Sequence, residues 1–206
     1  MGGERAAIPC CPFILQPGEI INSFKSFRWA GLLLIVGAVC VVLVPPLERY
    51  YNTEDGLAGF FFSAWFLCFT LGMVGLSFYY GAKGSGRAGW LNFLGLILLY
   101  TFWVMSFADG NGGKIAWIGI GLAYITIAAA AHISKQIPRW VLVVWALAAL
   151  STSMISTLEN YPIFDYFINW WNMGLGLASF GTGLAVWRTH QEGESVPNAN
   201  TESTDE

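Results

Sequence analysis

The sequence predicts an all-α integral membrane protein, a six-transmembrane-helix bundle with both termini on the cytoplasmic side and a short interfacial helix before the first span. Three observations carry this expectation: six apolar stretches of near-spanning length, connectors too short for a soluble domain, and a one-sided distribution of Lys and Arg. The 206 residues are 55% hydrophobic and 11% charged, about half the charge of an ordinary soluble domain. Aromatic residues make up 16% of the chain, which suits a protein whose helix ends are anchored by amphipathic rings at membrane-water boundaries.

The arm of residues 1–28 comes first and is expected to be cytoplasmic. Its Cys10 and Cys11 stand between prolines, where acylation or a soft metal ion are the chemistries a paired thiol allows. Cys40 and Cys68 lie inside apolar runs, read as small packing hydrophobes, and the four spacings make neither a disulfide framework nor a zinc site. Met1-Gly2 opens like a myristoylation signal, but Ala6 stands where Ser or Thr is needed. Between Gly18 and Arg28, the residues Ile20, Phe24 and Phe27 recur at helical spacing with Lys25 and Arg28 turned aside, the pattern of a helix lying in the interface.

The spans follow as Trp29–Leu47, Leu57–Tyr80, Gly89–Phe107, Ile115–His132, Trp140–Thr157 and Phe164–Trp187. Each approaches the roughly 20 residues that cross a hydrocarbon core about 30 Å thick. Segments of this length in lipid must satisfy their own backbone hydrogen bonds, so they are helices. The connectors Glu48–Gly56, Gly81–Ala88, Ala108–Lys114, Ile133–Arg139 and Leu158–Ile163 are short, which makes consecutive helices antiparallel neighbours. The first apolar run ends in Pro45-Pro46-Leu47-Glu48 without a small-residue cleavage pattern, so it is expected to be retained as a span. Residues 188–206 hold five acids, one Pro and no aromatic residue, and are expected to be a disordered cytoplasmic tail.

Eight of the ten bases, Arg5, Lys25, Arg28, Lys83, Arg87, Lys135, Arg139 and Arg188, fall in the arm, the second and fourth connectors and the tail; Arg49 and Lys114 fall opposite. By the positive-inside rule the eight face the cytoplasm, and a plasma membrane is the expected location. The other side carries Glu48, Glu54, Asp55, Asp109, Glu159 and Asp165, an acidic face that draws cations within a Debye length of about 8 Å.

No span holds Asp, Glu, Lys or Arg in its interior, which disfavours proton relays and ion pathways. His132 and His190 lie at a helix end and in the tail, leaving no pair of histidines for a membrane haem. The glycine-rich connector Gly81–Gly89 lacks the order of a P-loop and follows no strand, so it reads as a basic turn. No motif names a cofactor or a resident metal, and nothing in the charge pattern suits nucleic acid.

The candidate ligand-binding residues are Glu159, Asp165, Asn169, Trp170 and Asn172. Asp165, Asn169 and Asn172 fall at i, i+4 and i+7 and share one helical face, which Gly176, Ser179 and Gly183 continue. Two readings of this face compete. Amides and small residues form helix contacts in lipid, or the same amides with two carboxylates and Trp170 form a vestibule for a cation or polar molecule. Hydroxyls at Ser63, Thr70 and Ser77 and at Ser151, Thr152, Ser153, Ser156 and Thr157 admit the same pair of readings.

The functional expectation is an accessory or sensor component, without catalytic motif, whose partners are the lipid bilayer and another membrane protein or a second copy of the chain. Two alternatives stay open: a facilitator or transporter of a small neutral or cationic solute entering by the acidic face, and an integral-membrane enzyme using Glu159 and Asp165 on a lipophilic substrate.

Overall fold

A computed structural model describes residues 17–50, 56–108, 114–158, 161 and 163–194. These form six α-helices: α1 (Pro17–Tyr50), α2 (Leu57–Ala82), α3 (Gly86–Ala108), α4 (Lys114–Ser134), α5 (Arg139–Leu158) and α6 (Phe164–Glu194). Four of them are long and apolar enough to cross a membrane, over Phe27–Leu47, Gly59–Ala82, Gly86–Ser106 and Lys114–Ser134, and this marks a membrane protein. Helix α5 is also apolar, over Arg139–Ile155. Asn169, Asn172 and a series of glycines dilute the hydropathy of α6.

Three element boundaries differ from the sequence expectation. The interfacial helix and the first span are one continuous helix, α1, which runs through Pro45 and Pro46 as far as Tyr50. A proline inside a helix removes one hydrogen bond, and in apolar surroundings neighbouring helices make up the loss. The second connector shrinks to residues 83–85: Ser85 N–H donates to the Tyr80 carbonyl at 2.8 Å, and Gly84 takes the positive φ of 79° that this tight reversal requires. At the other extreme α6 continues to Glu194, into the segment expected as tail; residues 195–206, like Cys10 and Cys11, lie outside the described residues.

Helices adjacent in the chain pack on one another, and α6 returns to pack on α1. Neighbours run in opposite directions: α1 meets α2 with Ala30 against Gly75 and Gly37 against Phe69, and meets α6 with Gly31 against Gly183 and Ala38 against Gly176. The start of α1, the end of α6 and the α2–α3 and α4–α5 turns therefore share one end. Arg28, Lys83, Arg87, Lys135, Arg139 and Arg188 all lie there, so it is the basic end.

Glycine sets the closeness of nearly every contact. A Cβ at Gly183 would stand 2.5 Å from the Gly31 carbonyl oxygen, one at Gly89 2.6 Å from the Ser77 carbonyl oxygen, and one at Gly95 2.8 Å from an Ile127 methylene. Apolar helices gain little hydrophobic drive from leaving lipid, so close backbone approach and dispersion hold them together. Aromatic rings fill the space between: the buried Trp145 lies 5.6 Å from Tyr124 and 6.1 Å from Phe69, ring centre to ring centre, and Trp103 stacks on Phe66 at 5.0 Å. At the basic end the Arg28 guanidinium sits 5.6 Å over the Trp187 ring, a cation–π contact joining α1 to α6.

Candidate functional site

Helix α6 lies between α1 and α5, and both its faces matter. The inward face is the predicted polar stripe. Asn172 is 7% exposed and Ser179 1%, and Gly176 and Gly183 are buried against α1, where a Cβ at Gly176 would stand 2.5 Å from a Val42 methyl. The stripe thus meets α1 closely at Gly176 and Gly183, and the Ser179 hydroxyl is buried there without a hydrogen-bond partner. Asn169 is half-buried one turn nearer the helix start. The side chain of Asp165 and the whole of Glu159 lie outside the described residues.

Trp170 and Trp171 part company. Trp171 turns inward, and its indole N–H donates to Thr152 Oγ1 of α5 at 2.7 Å, while Thr152 donates to the Ala148 carbonyl at 2.7 Å. Two helical turns of α5 away, the Trp145 indole donates to Thr182 Oγ1 of α6 at 3.1 Å. These two indole–threonine bonds tie α5 to α6. Trp170 turns outward and is 71% exposed.

The outward face of α6 is the floor of a groove of about 620 Å³. Trp170, Met173, Leu177 and Phe180 follow one another along it at helical spacing, with Gly174 beside them. Val39, Val42 and Leu43 of α1 form one wall; Val144, Leu147 and Ser151 of α5 form the other. Apart from Ser151, and the indole nitrogens at one end, every side chain here is apolar. The groove lies in the half of the molecule away from the basic end, since its α1 wall is drawn from the later part of that helix and its floor from the earlier part of α6. Gly174 deepens it: a Cβ there would meet nothing within 4 Å.

Of the hydroxyls singled out in the sequence, Thr70, Ser77 and Thr152 make interhelical hydrogen bonds, Ser151 borders the groove, Thr157 is exposed and the side chain of Ser156 lies outside the described residues. Thr70 donates to the Phe66 carbonyl at 2.6 Å and its hydroxyl also hydrogen-bonds that of Tyr100 on α3. Ser77 donates to the Met73 carbonyl at 3.1 Å and accepts from Asn92 Nδ2 at 2.8 Å; Ser63 is exposed. Asn92 is fully buried, also donates to the Met73 carbonyl at 2.9 Å, and was not among the candidates. A lone amide in the otherwise apolar third span was the signal for it. Trp170 was a candidate but for a polar vestibule; its groove neighbours Gly174, Met173 and Leu177 give no sign in the sequence beyond their spacing.

Among the described residues no group of three or more His, Cys, Asp or Glu comes together to hold a metal. What the arrangement offers chemically is an apolar concavity with one hydroxyl and one exposed indole, suited to holding a hydrocarbon group. No family model matches the chain, and no curated protein and no solved structure matches it either.

Proposed function

We propose that the chain is a six-span membrane protein of the plasma membrane, with both ends cytoplasmic, that serves as a non-catalytic accessory or sensor component packed against another membrane protein. The observation that carries this is the burial of the α6 polar stripe: Gly176 and Gly183 bring α1 into contact along it. A facilitator working by that face needs a wet passage where this contact stands. Several other interior polar groups join helices, such as Trp171 with Thr152 and Asn92 with Ser77, and large side chains face outward as an apolar belt that includes Phe60, Leu67, Trp90 and Ile115. Such a belt suits lipid and a partner's spans alike. The placement of the basic end in the cytoplasm follows the eight bases against two.

The test is purification of the tagged chain from its native membrane in mild detergent, followed by mass spectrometry of what accompanies it. A second membrane protein at fixed stoichiometry is the expected result. Repeated recovery of the chain alone, as a monomer, overturns the accessory reading.

A further inference from the structure

Three features converge on the flank of α3 and α4 at the basic end: uncompensated bases, a cation held at a fixed point of the backbone, and an ordered outward face. Arg87, Lys135 and Arg139 are exposed there, and Lys83 ends α2 across the short turn from α3. Helices α2 to α5 contain no Asp or Glu, so no carboxylate on them offsets Arg87, Lys135 and Arg139. Among the described helices the acids on this side are Glu19 of α1 and Glu192 and Glu194 of α6, whereas α3 packs on α2 and α4.

Two of these bases stand level with each other. Phe102 lies against Gly119 and Ile127 against Gly95, an antiparallel register that brings Arg87, at the start of α3, level with Ser134 and Lys135 at the end of α4. The backbone fixes both. Gly84 and the hydrogen bond from Ser85 to Tyr80 set the turn ahead of Arg87. Lys135 takes a φ of 56° and is the one non-glycine residue with positive φ among the described residues; beside it the Ser134 hydroxyl accepts from the Gln136 N–H at 3.2 Å. Glycine is the usual residue in that conformation, so a lysine kept there despite the strain points to a use for its charge.

Away from these bases the outward face of α3 changes in the order that a lipid does. Trp90, 72% exposed, follows Arg87 by three residues, and the exposed Leu94 and Ile97 follow by seven and ten. At 1.5 Å per residue these stand about 4.5, 10.5 and 15 Å deeper, against a leaflet depth of about 15 Å, half of the hydrocarbon core. Cation, indole and aliphatic side chains thus succeed one another as head group, interface and acyl chain do. A phosphate free in water would meet the bases alone.

We infer that this flank binds a phospholipid with a net negative head group, its anionic group at Arg87 and Lys135 and its acyl chain along Trp90, Leu94 and Ile97. Basic sites beside membrane spans take anionic head groups in this way. The inference needs the chain to lie in a bilayer, but it needs neither a partner protein nor a cytoplasmic basic end.

The full chain is purified in mild detergent and titrated with phosphatidylglycerol, phosphatidylcholine or phosphatidylethanolamine, and bound lipid is counted by native mass spectrometry. It is compared with Arg87→Gln, Lys135→Gly, the two combined, and Lys114→Gln, which removes an exposed base at the opposite end of α4. Phosphatidylglycerol should bind the wild-type and Lys114→Gln chains about tenfold more tightly than either zwitterionic lipid. Each single variant on the flank should lose about fivefold of that affinity and the double variant about thirtyfold, as removal of one or two surface bases implies. Lys135→Gly separates binding from folding, because glycine takes the turn without strain: its thermal midpoint should hold while its lipid affinity falls. Arg87→Gln decides the matter should that midpoint drop. Equal binding of the three lipids, unchanged affinity in the double variant, an equal loss in Lys114→Gln, or release of the lipid by an equal concentration of inorganic phosphate overturns the inference. A chain recovered with a fixed partner but without lipid preference refutes this site alone, whereas a monomer that prefers phosphatidylglycerol refutes the accessory reading alone.

Discussion

Thr152 makes two bonds with one oxygen, giving a proton to the Ala148 carbonyl and taking one from the Trp171 indole. Thr152→Val keeps the shape but leaves a buried N–H without an acceptor. Interhelical bonds of this kind contribute about 0.6 kcal/mol on average and up to about 1.7 in a membrane protein, so the variant should lower the midpoint of detergent-driven unfolding, and Thr152→Ser should restore it. A midpoint unchanged in Thr152→Val would mean that the bond contributes nothing to the α5–α6 contact. At this scale the sequence was partly legible. The hydroxyl-rich end of α5 was conspicuous, but which hydroxyl faces a tryptophan depends on the rotation of two helices about their axes. The same rotation brings Trp171 to Thr152 and leaves its neighbour Trp170 exposed. Asn92 went unremarked because one amide in an apolar run disturbs hydropathy little, although it joins α3 to α2 through both Met73 and Ser77.

Between elements, the decisive residues are those without side chains. Gly31 and Gly183 each occupy the space a Cβ on the other helix would need, at 2.8 and 2.5 Å from the opposing carbonyl oxygens. Forced enlargement of a packed contact costs about 1–3 kcal/mol. Gly183→Leu should therefore part α1 from α6, seen as protease cleavage within α6 and a lowered thermal midpoint, while Gly81→Ala, at an exposed position with nothing near, should leave both unchanged. Equal behaviour of the two variants would count against the glycine contact as the α1–α6 fastening. The α6 half of this contact was readable as a small-residue seam with the spacing 172, 176, 179, 183; its partner in α1 was not, since Gly31 and Ala38 stand isolated among larger apolar residues. Helix ends were the least legible feature. Pro45 and Pro46 pointed to a stop, but the helix passes through them to Tyr50, and no proline separates the interfacial residues 18–28 from the first span.

For the whole molecule, antiparallel neighbours and an even number of helices put the start of α1 and the end of α6 at one end, together with six of the described bases. If that end faces the cytoplasm, as proposed, tags at the two termini are cleaved together in inverted vesicles and protected together in right-side-out ones; opposite behaviour of the two tags would rule out six crossings. Six apolar stretches were legible because hydropathy integrates over twenty residues, and the helical architecture followed from them. The groove was not, because it arises from three helices packed side by side, each contributing a stripe that reads in isolation as ordinary lipid-facing surface.

The return of α6 to α1 has a consequence for the order of synthesis. Domains assemble from the N-terminus as the chain emerges, yet α1 must hold its Gly31 notch and α5 its Thr152 acceptor uncovered until the sixth helix is made. Five helices can assemble pairwise without it, but the groove's floor and both its fastenings arrive together at the end. A chain lacking α6 therefore leaves the Gly31 notch of α1 and the Thr152 acceptor of α5 uncovered together.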